Sequence, residues 1–534
     1  MSIDKKKPRA AGTYNYSFTP YFGQFYFPSQ QVKAMYPEID VAYTSPAFTQ
    51  NEQAFTSQEQ MMDFIHELST HNHVRLEIIG HSLEGREVPM LVFTTSEEHS
   101  EAFNSKPTVW LQAQVHGNEP AAGESALIIA DQLANGQLGE DVLDDINVII
   151  IPRMNPDSGY YFERNSVTQL NGNRDHVNLE MPELQAIHRV FNDYNPEVVI
   201  DAHEYGAFLQ YEDFGEQGSI KYHDVLLLSG KNLNIPKEIR KKADEWFIDN
   251  PFKELEKKGY SYGNYYTVSS AKAPKPTLLE GGVDAGTGRN AFALKPSFSI
   301  LVETLGIGIG RENFLRRVDG QVVTHTSILK TVVNHAEEVK KTIQQAREYI
   351  VETGNKGQDN GTVVLQSKRK KVGDQIAKAI DIAKGEVIDI PVTYYSATDS
   401  IPTLERKRPN AYMLPPAYHE IVNKLKNQGA AVEKLTESQT LEVECFEVVE
   451  REVNNQGDRP LSQLTTKIKT EQRYFEKGSY VIRSAQPTAY LVSLSLEPES
   501  GDSYFTYNFF PTHMNGELPV YRYMSTIDFP LEDV

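Results

Sequence analysis

The chain has 534 residues, of which 24% are charged and 10% aromatic, a composition that excludes a disordered or collagen-like protein and allows two or three domains around a large core. Acidic residues outnumber basic ones by 73 to 53, and the net charge of −20 repels phosphate backbones and anionic lipid surfaces, which argues against nucleic acid and membrane surfaces as partners. The one cysteine, Cys445, excludes an internal disulfide and, in the alternating run LEVECFEVVEREV, is expected as a small buried strand residue rather than a nucleophile.

Residues 1–57 are rich in Tyr, Phe, Pro, Gln and Ser, lack periodicity, and read as an extended arm on the domain that follows. Their basic start has no apolar stretch after it and so is not a complete signal peptide. A cytoplasmic location is expected, or export if a leader has been removed. No stretch is long and apolar enough to insert in a bilayer.

A mixed pattern begins near residue 58. QEQMMDFIHELSTH is expected as a helix and VRLEIIGHSLEGREVPMLVFTT as two strands joined by a polar turn. TVWLQAQVHG reads as a strand, GESALIIADQLANG as a helix ended by Gly136, and INVIIIPRMNP as a buried strand. PELQAIHRVFNDY has the spacing of an amphipathic helix, VVIDAHE and FSILVETLG read as buried strands, and one long helix is expected from about 312 to 350. Strands alternating with helices over 58–351 indicate an α/β domain with a mixed, mainly parallel central sheet flanked by helices. In such sheets, sites form beyond the carboxyl ends of the strands. His116, His203 and Glu303 each fall at or near such an end.

ETGNKGQDNG (352–361) reads as a linker. Residues 362–534 carry short alternating runs and one helical stretch, AYHEIVNKLKNQG, and are expected to form a small β-rich accessory domain. If it packs on the catalytic domain it shapes access to the site. Its acidic stretch LEPESGDS (496–503) reads as a solvated loop. His66, His71, His73 and His81 read as surface residues.

The strongest chemical signal is VHGNEP. His116 and Glu119, spaced i, i+3 on a turn leaving a strand, can bring an imidazole and a carboxylate onto one ion, and His203 is a candidate third ligand. A catalytic zinc typically takes three protein ligands of these types. Glu303 ends an apolar strand, where a carboxylate needs a partner or a function.

Together with the Asn155-Pro156-Asp157 stretch, Arg164, the Asn173-Arg174-Asp175 element, Asp201-Ala202-His203 and ILVET ending on Glu303, these motifs resemble, in order and over roughly residues 60–345, the zinc metallocarboxypeptidase family of carboxypeptidase A-like enzymes. The resemblance implies one Zn2+ per chain held by His116, Glu119 and His203. It implies hydrolysis of the C-terminal peptide bond of peptide or protein substrates by a zinc-bound water that Glu303 activates. It makes Arg164 the group that polarises the scissile carbonyl, and Asn173 and Arg174 the clamp on the substrate's terminal carboxylate. Arg289, in the glycine-rich GGVDAGTGRNAF (281–292), is expected in a loop lining the substrate pocket.

Three departures stand out. Asn171 occupies a position where the family commonly has an aspartate supporting the first ligand histidine. No tyrosine lies between Gly281 and Glu303 to cover the substrate, although Tyr262, Tyr265 and Tyr266 lie upstream. NPDSGY carries an extra serine. Two other functions fit the motifs: a related zinc deacylase acting on N-acyl amino acids, and a non-catalytic binder of peptide C-termini. The sequence leaves the oligomeric state open.

Overall fold

Apolar runs too long for a half-exposed strand need cover on both faces, and the central sheet meets that need. The computed structural model describes residues 23–49, 54–139, 141–269, 274–356, 360–455 and 459–534. Eight strands form the sheet in the order Val74–His81, Glu87–Phe93, Asn147–Ile151, Thr108–Ala113, Val198–Gly206, Phe298–Ile307, Val225–Ser229, Tyr262–Asn264. The middle four run parallel, and the Glu87–Phe93 and Val225–Ser229 strands pair antiparallel to them.

Side chains alternate between faces along each strand. Leu111, Ile150, Ile200 and Ile300 enter a core with Leu127, Val318, Ile328 and Val332, from the Pro120–Ala134 and Phe314–Asn334 helices. Trp110, Ile149, Ile151 and Val199 point the other way, onto Leu184, Ile187 and Phe191 of the Pro182–Tyr194 helix. Pro120, Pro156 and Pro182 each open a helix, the position where a missing N–H costs nothing.

The long helix expected over 312–350 is two, Phe314–Asn334 and Ala336–Gly354. The break is at His335, which leaves helical geometry (φ −127°, ψ 24°) and stacks its ring on Trp246 at 4.8 Å. No Gly or Pro announces this break; a tertiary contact accompanies it. Residues 352–354 of the expected linker end the second helix, and 357–359 lie outside the described residues. Of the expected N-terminal arm, 1–22 and 50–53 also lie outside them. Its described part packs Phe48 and Phe55 on Phe314.

The C-terminal region contributes two sheets. Seven antiparallel strands, including the long Gln439–Asn454 and Leu461–Phe475 hairpin, form one. Cys445 is buried in it. The helix His419–Asn427 lies where expected, whereas the apolar AYLVSLSL forms a second, buried helix, Ala489–Leu496. The other sheet joins the regions. Its long hairpin, Thr362–Asp381 and Val387–Lys407, pairs on one side with Ser219–Lys221 and on the other with Thr277–Glu280, which pairs in turn with Tyr266–Val268.

The stretch LEPESGDS is not a solvated loop. Glu497 is fully buried between Tyr412 and Arg522, Glu499 pairs with Arg406, and Asp502 accepts from Ala285 N and Gly286 N. Buried carboxylates persist only where such partners offset their desolvation.

Candidate metal centre and substrate cleft

The three parallel strands Thr108–Ala113, Val198–Gly206 and Phe298–Ile307 deliver the site residues to one end of the sheet. His116 and Glu119 lie on the turn between the first of these and the Pro120–Ala134 helix. Gly117 is required in that turn, because a Cβ there would lie 1.9 Å from the backbone of Ser158. That serine belongs to the Pro156–Tyr161 helix, capped by Asn155. Asp157 accepts from Ser82 Oγ at 2.6 Å and Glu84 N at 3.0 Å, fixing this helix to the early hairpin.

His116, Glu119 and His203 converge, each about 1% exposed, with one donor atom from each within 4.8 Å of the others. His116 Nδ1 and His203 Nδ1 face the two oxygens of Glu119 at 2.8 and 2.9 Å. The opposite nitrogens are also held. His116 Nε2 donates to Asn171 Oδ1 at 2.9 Å, and His203 Nε2 lies 3.3 Å from Asp201 Oδ1. Such outer contacts fix ring orientation and tautomer. Asn171 thus makes the contact that the departure from aspartate put in question, without the charge. Asp201 is held by Gln112 at 2.9 Å, and Glu204, next to His203, binds Ala121 N and Arg317.

Burial, with Arg164 adding to it, holds His116 below its ordinary range against the pull of Glu119. At His203 burial acts in the same direction, but Asp201 and Glu119 outweigh it and push the pKa well up. Burial raises Glu119, yet the two histidines draw it below the ordinary carboxylate range.

Glu303 is register partner to His203 on the neighbouring strand and is 7% exposed. Burial pushes its carboxyl to about 7, with Glu119 adding to that and His203, Arg164 and Lys221 opposing it. Lys221, held to about 8 by burial, donates to Tyr266 O at 2.7 Å.

Glu303 shares a cavity of about 160 Å³ with His116, Arg164, Asn173, Arg174 and Arg289. Arg164 Nη1 donates to Glu119 Oε1 at 3.0 Å. Asn173 Oδ1 accepts from Gly288 N at 2.8 Å, tying the Asn-Arg element to the short Gly288–Ala293 helix, which holds Arg289 where a loop was expected. Arg289, 4% exposed, donates to Gly282 O. Of the three upstream tyrosines, Tyr265 lines this cavity, Tyr262 stacks on Phe252, and Tyr266 is buried. Asp284 and Thr287, of the 281–292 stretch expected to line the pocket, do line it, while sequence reasoning missed Thr267 and Arg369, which line it too. Arg369 lies in the polar run KRKK, where no local pattern separates it from a surface strand.

The Zinc carboxypeptidase family profile matches residues 60–180. Carboxypeptidase 2 of Trichophyton rubrum is 31% identical over 493 residues, covering 90% of this chain and 90% of that protein. Carboxypeptidase 2 of Trichophyton equinum is 30% identical over the same coverage. Among solved structures, the carboxypeptidase A of Helicoverpa armigera aligns with a TM-score of 0.41 at 16% identity, over 58% of this chain and 80% of that one. Identity of this degree over nine-tenths of both chains settles the family: the protein belongs to the zinc carboxypeptidases, metallopeptidases of the hydrolase class.

Proposed function

We propose that the protein removes single amino acids from the carboxyl ends of peptides, with Glu303 as the catalytic base. The observation that supports this best is one small cavity bordered by His116, Glu303, Arg164 and the Asn173–Arg174 pair, with Glu119 and His203 grouped with His116 in its wall. His116, Glu119 and His203 would hold one zinc ion, since two imidazoles, each oriented from behind, and one carboxylate are a donor set that suits it. When bound, zinc supplies Lewis acidity, polarising the scissile carbonyl and bringing the pKa of water to about 7.

The side chains do the rest. The Glu303 carboxylate takes a proton from the attacking water and gives it to the leaving amine nitrogen. A carboxyl titrating near 7 can do both. Arg164 brings its guanidinium beside the developing oxyanion, the kind of electrostatic help that contributes most to such reactions. Arg174 forks onto the terminal carboxylate of the substrate, with Asn173 beside it. Arg289 adds positive charge to the same pocket, and Tyr265 lies where it can cover the bound residue. A substrate without a free carboxylate leaves Arg174 unpaired, and this makes the enzyme an exopeptidase.

The test is a pair of peptides identical except for a free or amidated carboxyl end, with products followed by mass spectrometry. Loss of one residue from the free acid and resistance of the amide is expected. Cleavage of both at similar rates, or internal cleavage, would contradict the reading.

A further inference from the structure

The substrate cavity is not closed by the catalytic region alone. Arg369, from the Thr362–Asp381 strand of the C-terminal hairpin, forms part of its wall. Its Nε donates to Glu280 O at 2.7 Å, one residue before Gly281. A Cβ on Gly282 would lie 3.4 Å from Arg369 Nη2 and 2.3 Å from Asp284 Oδ2, so the guanidinium and Asp284 flank Gly282.

The hairpin that carries Arg369 is anchored beside the pocket. The buried Glu280 carboxylate accepts from Ser396 Oγ at 2.8 Å, Thr398 N at 2.8 Å and Thr398 Oγ1 at 3.0 Å, and from Ala397 N as well. The Thr277–Glu280 strand also runs parallel beside the Val387–Lys407 strand. From the far side, Asp502 accepts from Ala285 N at 2.8 Å and Gly286 N at 3.0 Å. Three segments of the C-terminal region thus fix the 281–292 stretch and set Arg369 at a defined place.

The charges around the cavity do not balance. Arg164, Arg174, Arg289 and Arg369 line it with two carboxylates, Asp284 and Glu303, and a third, Glu119, pairs with Arg164 from outside the lining. In the reading above Arg164 serves the scissile carbonyl and Arg174 the terminal carboxylate. Arg289 gives Nη2 to Gly282 O, whereas Arg369 uses Nε for Glu280 O and brings Nη2 to Gly282 at the cavity wall. Arg369 is then the guanidinium available for a second negative charge on the terminal residue of the substrate. Resting on that reading, we infer that Arg369 is a specificity-determining residue supplied by the C-terminal hairpin, selecting peptides that end in an acidic residue, Glu or Asp.

The test uses the full chain loaded with zinc and blocked peptides differing only in a final Glu, Asp, Leu or Lys. Equilibrium binding is measured calorimetrically on the Glu303→Gln variant, so that it does not depend on turnover, and kcat/KM is measured on the wild type. The Glu and Asp peptides are expected to bind about tenfold or more tighter than the Leu and Lys peptides. Arg369→Ala, on the same background, should lower the Glu-to-Leu affinity ratio by about the same factor, and Arg369→Lys should restore part of it. Circular dichroism and zinc content report whether each variant is folded.

Tightest binding of the Lys peptide would assign selection to Asp284 and overturn the inference. So would a uniform loss across all four peptides in Arg369→Ala, which would mark Arg369 as a structural strut. If Arg369→Ala does not fold, the terminal preference of Arg369→Lys and of the Glu303→Gln protein decides. Absence of hydrolysis of all four peptides by the wild type would count against the peptidase reading, while the binding preference still judges Arg369.

Discussion

Glu303 and His203 are register partners on adjacent parallel strands, Phe298–Ile307 and Val198–Gly206. Residues paired in this way project to the same face of a sheet, so one strand presents a metal-ligand candidate and its neighbour the carboxylate beside it. The sheet itself sets the spacing between them, and rigid elements hold such geometry better than loops.

The acid limb of the activity profile follows from that burial. Glu303 must be ionised to accept a proton, and its carboxyl is raised to about 7. Activity is therefore full above that pH and falls as pH drops through it. A bound divalent cation favours the carboxylate and moves the limb lower. A kcat/KM profile should show one acidic limb at or below about 7. A profile that stays flat to well below the ordinary carboxylate range would contradict Glu303 as base.

Asn171 should tune metal affinity without touching the ion. It receives the His116 Nε2 proton at 2.9 Å. Asn171→Ala should weaken zinc binding by about tenfold or more, and Asn171→Asp, which restores the negative charge, should strengthen it. Competition with a chelator measures both. Equal affinities in all three proteins would show that this contact carries no energy.

Gly117→Ala should fail for steric reasons. The added methyl would lie 1.9 Å from Ser158 C and O, backbone atoms of a buried helix that cannot move aside as a side chain can. Destabilisation of about 1–3 kcal/mol or more is expected, with impaired metal binding because the same turn carries His116 and Glu119. Urea unfolding with and without zinc would detect both effects.

Glu280→Ala should loosen the hairpin over the cleft. It removes one buried acceptor from four donors at Ser396, Ala397 and Thr398. Leaving buried donors unpaired costs about 1–3 kcal/mol each, offset where water reaches them. Lower stability together with a raised KM is expected. Loss of stability with unchanged KM would show that the hairpin braces the fold without shaping the pocket.

The alternation of elements, the apolar strands and the His–x–x–Glu turn were legible in the sequence because each is written in consecutive residues. His116, Glu119 and His203 could be grouped because the first two follow one strand of the sheet and the third lies on the next. What was not legible depends on distant contacts. The break at His335 accompanies stacking on Trp246. The stretch 496–503 looks solvated until Arg522, Arg406 and the Ala285–Gly286 backbone are brought to it. Arg369 sits among the charged residues of a strand, and only the pairing of its hairpin with the Thr277–Glu280 strand carries it to the cleft.

Metal content measured alongside activity in the Glu303→Gln variant tests the central claim most directly. The account predicts one zinc per chain in both wild type and variant, with kcat for release of the terminal residue lowered by about a hundredfold or more in the variant. Full activity in the variant, or a wild type that releases terminal residues after its metal has been removed, would contradict it.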